Sequence, residues 1–352
     1  MTNSIKNLKT SDWSNLMGTL ITPLRLIVGW QFLSTFFRRF LLMPQKMDPD
    51  SMGYIGYKFS HMMPHAIGGV GPMIEYLIQP SHATLLFVFL FVFSMIELLV
   101  GLGLMLGFFS RLTGLGSALL SLGILLGAGW LGPTCLDEWQ IGVAGIGGGL
   151  AIFILGGGTW SLDYLWQKKW PALADKYWLK WLTSGDIFTG HIHSIKKLVF
   201  VLAAVGILIT LYTNQAFYGG VYGKLHNPSK HPHLILTDPV LNTNGDLTLT
   251  LYRNSGPDTY GAFIVKVAIK DAKGNIVENF NADYLSKINE KNIKNVFFEK
   301  SHSGKYSLVV PLSAKSRITF KSVSPLSLHP GKYTINVMDV SGKSWHTKCS
   351  IN

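Results

Sequence analysis

The chain has 352 residues, of which 48% are hydrophobic and 14% are charged, and its mean hydropathy is +0.28. A soluble globular chain usually carries about 25% charged residues, so the composition excludes an ordinary soluble protein over the full length. The formal net charge is +12, but the basic residues flank apolar runs and none of their runs alternates with aromatic residues. This pattern is typical of membrane topology, with attraction of an anionic substrate as a second contribution, and it argues against nucleic-acid binding.

The chain contains two cysteines, Cys135 and Cys349. That number excludes a disulfide framework and a cysteine-rich metal or iron–sulfur site. The N-terminal segment 1–15 is polar, so we predict no cleavable signal peptide there. The first apolar span is then its own insertion signal.

Five apolar segments are long enough to cross a bilayer as helices, which takes about 20 residues. They are 16–37, 84–107, 112–131, 139–157 and 196–213. Glycine is frequent in the second, third and fourth of these segments. Because small residues let helices approach closely in lipid, we predict that these glycines pack helices together.

Basic residues indicate how the spans are oriented. Lysine and arginine are concentrated in the N-terminal segment, the turn 108–111 and the loop 158–195, which share one side if there are five spans. Cytoplasmic loops carry an excess of these residues. We therefore predict a multi-pass protein of the cytoplasmic membrane, with the N-terminus inside and the C-terminal domain outside. Arg38 and Arg39 are exceptions, since they lie at the outer end of the first span.

The C-terminal segment 216–352 alternates apolar and polar residues in short runs separated by turn sequences. For example, Leu247, Leu249 and Leu251 share one face of a run. This pattern predicts short antiparallel strands and hence an all-β sandwich of immunoglobulin-like type. The predicted organisation is a transmembrane helical domain at 1–215 followed by an extracytoplasmic β domain.

Three stretches resemble a known membrane family. The first span contains RLIVGWQF at 25–32, with the spacing Arg-x-x-x-Gly-x-x-Phe, and the second contains IELLVGLGLMLGFFSRL at 96–112. Both resemble the DoxX/DoxD family. The stretch WLGPTCLDEWQIG at 130–142 resembles the DoxD branch more narrowly, and the downstream segment resembles DoxA. The whole chain thus resembles a fused DoxD–DoxA protein of the thiosulfate:quinone oxidoreductase family.

The resemblance implies a reaction in which two thiosulfate anions are oxidised to tetrathionate and one membrane quinone is reduced. A quinone of the ubiquinone or menaquinone type is then the electron acceptor, and no metal or flavin is expected. The expected partners are thiosulfate, the quinone and the lipid bilayer, and not nucleic acid. Whether the protein forms a homo-oligomer is left open.

Cys135 is the sharpest catalytic candidate, because it lies directly before the fourth span on the predicted outer side. A helix N-terminus lowers the pKa of a thiol and favours the nucleophilic thiolate, although Asp137 and Glu138 work against this effect. The two carboxylates are candidate proton acceptors during quinone reduction. The alternatives are an inert cysteine and carboxylates that merely complement the helix dipole.

One cysteine suffices for a redox-balanced scheme, which we state as a hypothesis. The Cys135 thiolate adds to the quinone, and a thiosulfate then attacks its sulfur, leaving a Cys–S–S–sulfonate and quinol. A second thiosulfate attacks the sulfane sulfur, releases tetrathionate and regenerates the thiolate.

Five polar residues are candidates for binding thiosulfate. Guanidinium groups suit oxyanions, so Arg38 and Arg39 are predicted to hold the sulfonate, with lipid headgroup contact as the alternative. Lys58, His61 and His65 belong to the loop before the second span, which is predicted to be a lid whose histidines contact substrate or transfer a proton. The histidine spacing also fits metal ligands on a helix, but a third ligand is missing, so no metal site is predicted.

The predicted quinone-binding residues are Arg25, Trp30, Glu97 and Trp139. Ionisable residues inside spans are costly and are usually paired or functional. Arg25 and Glu97 both lie about 14–15 Å from the inner ends of their spans, so a salt bridge between them is geometrically possible. The alternative is a proton relay or a quinone ligand.

Cys349 shares one face of a strand with Trp345 and Ile351, which predicts burial in the sandwich core. A disulfide with Cys135 is the alternative, since both residues are predicted to lie outside. Two further functions also stay open. One is a non-catalytic DoxX-like membrane subunit whose β domain recruits a partner, and the other is a quinone-linked thiol–disulfide factor.

Overall fold

The computed structural model describes residues 10–132, 137–323 and 326–351. These residues form two compact units. The described residues of the first unit lie within Met1–Ile55, Phe87–Gly129 and Asp137–His226, and those of the second within Gly56–Leu86, Trp130–Leu136 and Asn227–Asn352. The second unit thus contains the β domain together with a long segment that precedes the second predicted span.

The α-helices are α1 (Thr10–Leu20), α2 (Thr22–Phe37), α3 (Ile55–Met62), α4 (Val70–Leu77), α5 (Ala83–Leu106), α6 (Ser110–Ala128), α7 (Asp137–Leu155), α8 (Leu162–Lys169), α9 (Pro171–Ala174), α10 (Tyr177–Lys180), α11 (Ile192–Tyr218) and α12 (Ala282–Ser286). A π-helix, Arg38–Leu42, directly follows α2. Short 3-10 helices are Pro44–Met47, Met63–His65, Pro80–His82 and Glu290–Asn292.

Four helices in the described part of the chain are long and apolar enough to cross a membrane: Pro80–Leu106, Ser110–Ala128, Glu138–Leu155 and Ile192–Tyr218. A fifth span results if Asp12–Leu20 and Thr22–Leu42 are counted together, although they are bent by 52°. Pro23 lies in the first turn of α2, where it lacks an N–H and disfavours helical geometry before it. The predicted helical membrane region is confirmed, and its orientation stays a prediction.

Glycines bring the helices of the first unit into backbone contact. A Cβ atom added at Gly101 of α5 would lie 2.9 Å from the carbonyl oxygen of Gly29 in α2, and one at Gly149 of α7 would lie 2.7 Å from that of Gly114 in α6. Such distances exclude any side chain, so these helices cross backbone to backbone. At these positions the glycines pack helices as predicted, whereas Gly123 and Gly147 face open space.

Apolar side chains complete the core of the first unit. The residues that form it come from α2, α5, α6 and α7, and they are Val28, Phe32, Val100, Leu104, Leu120 and Ile152. Helix α11 contributes little to this core, because most of its side chains are exposed. It therefore lies at the periphery of its unit.

The strands of the second unit are β1 (His233–Leu241), β2 (Leu247–Ser255), β3 (Ala262–Lys270), β4 (Ile276–Phe280), β5 (Ile293–Asn295), β6 (His302–Ser303), β7 (Leu308–Val310), β8 (Lys315–Phe320), β9 (Gly331–Asp339) and β10 (Ser344–Ile351). One sheet has the order β1-β2-β8-β5 and the other the order β10-β9-β3-β7-β6, with β4 paired to β3. The strand pairs of both sheets are antiparallel.

The two sheets enclose one apolar core. Leu247, Leu249 and Leu251 of β2 are fully buried in it, and Ile335 and Val337 of β9 reach it from the other sheet. The alternation of the sequence therefore selects the buried face of each strand, as predicted. The all-β C-terminal domain is confirmed.

Arg253, at the end of β2, is buried in the β domain and organises the loop that follows. Its guanidinium donates hydrogen bonds to the carbonyl oxygens of Ser255 at 3.1 Å, Pro257 at 2.7 Å and Tyr260 at 2.7 Å. Burial lowers the pKa of Arg253 to about 10. The residue is a structural cation, since its donors are directed at the main chain.

The segment that contains α3 and α4 packs on the β domain. Met63, Ile74 and Ile78 form one apolar cluster with Phe297, and the N–H of Phe298 donates to the carbonyl oxygen of Ile78 at 2.9 Å. The burial of these side chains explains why the segment belongs to the second unit.

Candidate functional site

Cys135 itself lies outside the described residues, so its role stays a prediction. The main chain just before it is anchored within the second unit. The N–H of Gly132 donates to Ser229 Oγ at 3.1 Å, and the carbonyl oxygen of Gly132 accepts from Asn227 Nδ2 at 3.0 Å. Ser229 is fully buried. Two hydrogen bonds from the start of the β domain thus fix the residue three positions before the candidate nucleophile.

The chain after Cys135 enters helix α7 at Asp137, within the first unit. The side chain of Asp137 lies outside the described part, whereas Glu138 is half-buried. The indole N–H of Trp139 donates to Thr213 Oγ1 of α11 at 3.0 Å. Thr213 is fully buried and donates in turn to the carbonyl oxygen of Ile209 at 2.9 Å. The proton-transfer roles of both carboxylates stay predictions.

Two predicted substrate ligands on α3 are held by acidic residues of the β domain. Lys58 forms an ion pair with Asp258, and His61 Nε2 lies 3.2 Å from Glu299 Oε2. Burial would raise the pKa of Asp258, but the hydrogen bond and charge of Lys58 outweigh it and leave that pKa below its ordinary value. The predicted lid is thus tied to the β domain, and its contact with substrate stays a prediction.

His65, the third predicted lid residue, packs against Trp130. Its Nε2 is 2.9 Å from Ser255 Oγ, and its ring packs edge-on against Trp130 with centroids 4.7 Å apart. Trp130 is fully buried, and its indole N–H donates to the carbonyl oxygen of Met62 at 2.9 Å. Among the residues that the structure describes, no cluster of three or more His, Cys, Asp or Glu side chains could hold a metal.

Arg38 and Arg39 differ sharply in environment. Arg39 forms an ion pair with Glu97 of α5 and donates a further hydrogen bond to Ser94 Oγ at 2.9 Å. Glu97 and Ser94 are both buried. Arg38 is exposed, with its guanidinium 3.5 Å from Thr35 Oγ1. Of the two guanidinium groups predicted to bind thiosulfate, one is already neutralised by a buried carboxylate and the other faces outward.

Arg25 contacts the loop before α8. Its side chain is 2% exposed, and its guanidinium donates to the carbonyl oxygen of Trp160 at 2.6 Å. The salt bridge between Arg25 and Glu97 that the sequence allowed is not formed, because Glu97 pairs with Arg39. Equal depth along two helices does not determine which of their faces meet.

The predicted quinone-binding residues do not converge. Arg25 contacts Trp160, Glu97 contacts Arg39, and Trp139 contacts Thr213. Trp30 is 53% exposed on α2, and its ring centroid lies 6.3 Å from that of Phe37. Their contacts are with different partners, and their role in quinone binding stays a prediction.

A buried polar network near α8 is absent from the sequence-based predictions. The Asp163 carboxylate accepts hydrogen bonds from the N–H groups of Phe109 and Ser110, both at 2.8 Å, and from Ser184 Oγ at 2.9 Å. Burial raises the pKa of Asp163. The carboxylate complements the N-terminus of α6. The loop 158–195 also contains Asp175 and Asp186, so its sequence does not distinguish Asp163 from the other acidic residues.

Arg111 belongs to the same region and is fully buried. It donates to the carbonyl oxygens of Phe153 at 2.8 Å and Gly185 at 3.1 Å, and also to that of Ile154. Arg111 is one of the basic residues from which the membrane orientation was predicted. It also has a structural role, because its donors connect the end of α7 to the segment before α11.

Cys349 lies on β10 and packs, half-buried, against the core of the β domain. Within the described residues its thiol is free, and burial raises its pKa. The prediction of burial in the sandwich core is met in part, since Cys349 packs against the core but is only half-buried.

Two family models match the chain, one over the helical region and one over the β domain. The family model described as TQO small subunit DoxD, where TQO denotes thiosulfate:quinone oxidoreductase, matches residues 20–202, more than half of the chain. The model described as TQO small subunit DoxA matches residues 217–348, which include nearly all of the strands. The two regions follow each other on one polypeptide. The chain therefore belongs to the DoxD family and carries a DoxA region fused behind its helices.

Proposed function

We propose that this protein is a thiosulfate:quinone oxidoreductase of the cytoplasmic membrane. The observation that carries the proposal is the occurrence of the DoxD and DoxA regions, both small-subunit families of this oxidoreductase, in a single chain. Helices long enough to cross a membrane support a quinone as acceptor, because prenylated quinones reside in the lipid phase.

The proposed reaction balances with these two substrates alone. Two thiosulfate dianions each give up one electron and join through a new S–S bond, which forms tetrathionate. The two electrons, together with two protons, convert the quinone to quinol. The protein must therefore bind an anion from water and a hydrophobic acceptor from lipid. It must also deliver protons to the acceptor.

Within this proposal Cys135 supplies the thiolate, and Asp137 and Glu138 exchange the protons. Support comes from the anchored main chain at Gly132 and from the start of α7 at Asp137. A thiolate gains stability from the partial positive charge of a helix N-terminus.

Arg38 is the better of the two arginines for contact with thiosulfate. It is exposed, whereas the Arg39 guanidinium is engaged by Glu97 and Ser94. A guanidinium in this position supplies charge-assisted hydrogen bonds to a sulfonate. The net charge of +12 adds a general attraction for the dianion.

The test uses the purified full-length protein in nanodiscs, without any partner. Under anaerobic conditions, thiosulfate and decylubiquinone should yield quinol and tetrathionate in equal amounts, with two thiosulfates consumed for each quinol. Wild-type protein that reduces the quinone with a dithiol peptide but not with thiosulfate would instead be a thiol–disulfide factor. Turnover that requires a second protein would identify a non-catalytic subunit.

A further inference from the structure

An apolar groove of about 590 Å³ runs between α7 and α11 in the first unit. Its walls include Val143 and Gly147 of α7 and Ala203 and Gly206 of α11. Among the described residues that line it, Thr210 carries the sole polar side chain, and its hydroxyl donates to the carbonyl oxygen of Gly206 at 2.8 Å. The groove is therefore apolar along its length.

The groove has the dimensions of a ligand site. Along α7 its lining extends from Val143 to Leu155, about 18 Å at 1.5 Å per residue. A Cβ atom added at Gly147 or Gly206 meets nothing within 4 Å, so the space opposite both glycines is open. Small-molecule sites typically have volumes of about 300–1,000 Å³.

Trp139 and Thr213 form a hydrogen-bonded pair beyond one end of the groove. Trp139 precedes Val143 by one helical turn, and Thr213 follows Thr210 by three residues, so both continue the faces that line the groove. The hydrogen bond from the Trp139 indole to Thr213 joins α7 to α11 at this end. The apolar groove thus leads to an indole ring.

We propose that this groove binds the membrane quinone, with the isoprenoid tail between α7 and α11 and the ring against the Trp139 indole. The inference rests on the proposed function. The apolar walls match a prenyl tail, and an indole offers a stacking surface for a flat ring. Trp139 also follows Cys135 by four residues in the chain, and electrons must pass from the sulfur chemistry to the ring.

The Arg39–Glu97 pair is the competing position for the ring. There the carboxylate is already engaged by a guanidinium and is 3% exposed. A quinone would have to displace the partly buried Arg39 from the buried Glu97 and leave both charges unpaired, which is costly in a membrane. The groove requires no such rearrangement.

The first experiment fills the groove with Gly147→Leu and, separately, with Gly206→Leu. The matched control is Gly123→Leu in α6, where an added Cβ also meets nothing within 4 Å. Ferricyanide serves as a water-soluble acceptor that bypasses the groove. We expect both groove variants to raise the KM for decylubiquinone about tenfold, equivalent to about 1.4 kcal/mol, and to lower the ratio of quinone to ferricyanide turnover. The control should keep the wild-type values.

The second experiment measures binding without turnover. An azido-quinone activated by light in nanodiscs should label peptides that contain 143–155 or 199–213, and Gly147→Leu should lose this label while Gly123→Leu keeps it. Label confined to the peptides of Arg39 and Glu97 would overturn the proposal. So would groove variants that change the oligomeric state but leave the quinone KM unaltered, since the groove would then be a contact between copies. The wild-type protein could also be labelled in the groove and yet oxidise no thiosulfate with either acceptor. That result would refute the proposed function and support the quinone site.

Discussion

Arg39, in the π-helix after α2, forms an ion pair with the buried carboxylate of Glu97 on α5, and the same guanidinium nitrogen donates to Ser94 Oγ. Ser94 Oγ in turn donates to the carbonyl oxygen of Leu90 at 2.8 Å. The pair thus joins the extension of α2 to α5 through a continuous set of hydrogen bonds. A buried ion pair is stable when both charges are present, and it is strongly destabilising when one is removed.

We predict that Glu97→Leu and Arg39→Met each lower the free energy of unfolding by about 3–5 kcal/mol. Arg39→Met leaves the buried carboxylate without its partner, and Glu97→Leu leaves the partly buried guanidinium without its partner. The double variant should recover most of the loss, because no charge then remains to be compensated. Thermal unfolding in detergent measures this difference. A double variant as unstable as the worse single variant would show that the pair contributes more than charge compensation.

The exposed Arg38 should affect substrate binding rather than folding. We predict that Arg38→Gln raises the KM for thiosulfate about tenfold, the effect of losing a charge-assisted hydrogen bond worth about 1.5 kcal/mol. The melting temperature should stay unchanged. Arg317→Gln, which removes an exposed arginine from β8, is the control for a general loss of positive charge. Equal KM values for both variants would exclude a specific contact at Arg38.

The two cysteines allow a paired test of the sulfur chemistry. We predict that Cys135→Ser lowers thiosulfate-dependent quinone reduction at least about a hundredfold, since a serine hydroxyl is not ionised at neutral pH and is a poor nucleophile. Cys349→Ser should keep wild-type turnover, because burial raises the pKa of that thiol and keeps it protonated. Steady-state rates with decylubiquinone measure both. Substantial activity in Cys135→Ser would exclude the cysteine-centred scheme.

The ion pair between Lys58 and Asp258 predicts a pH dependence of the second unit. The pKa of Asp258 is lowered in the folded protein, to which the hydrogen bond from Lys58 contributes. The pair therefore stabilises the folded state above the ordinary carboxyl pKa of 3.8, and this contribution is lost as the pH falls through the lower folded value. We predict that Lys58→Met weakens packing of 56–86 on the β domain at neutral pH and removes this acid dependence. Hydrogen exchange of that segment at pH 3–7 measures the effect. Identical profiles in Lys58→Met and wild type would show that the ion pair does not hold the segment.

Local patterns in the sequence determined the classes of structure in this protein. An apolar run of about 20 residues forms a membrane-length helix whatever its neighbours are, and so α5, α6, α7 and α11 are visible without any tertiary information. Strict alternation likewise selected the buried Leu247, and strand patterning depends on residues two positions apart. The DoxD and DoxA stretches pointed to the chemistry, because motif spacing is also local.

Only the tertiary structure decided which side chains meet. Depth along a helix follows from residue number, but the direction in which a side chain points depends on crossings such as that of Gly29 with Gly101. For this reason the partner of Glu97 is Arg39 rather than Arg25. The groove between α7 and α11 depends on the same information, since it is formed by residues about 45–65 positions apart. The distance between these residues in space is set by packing and not by their hydrophobicity.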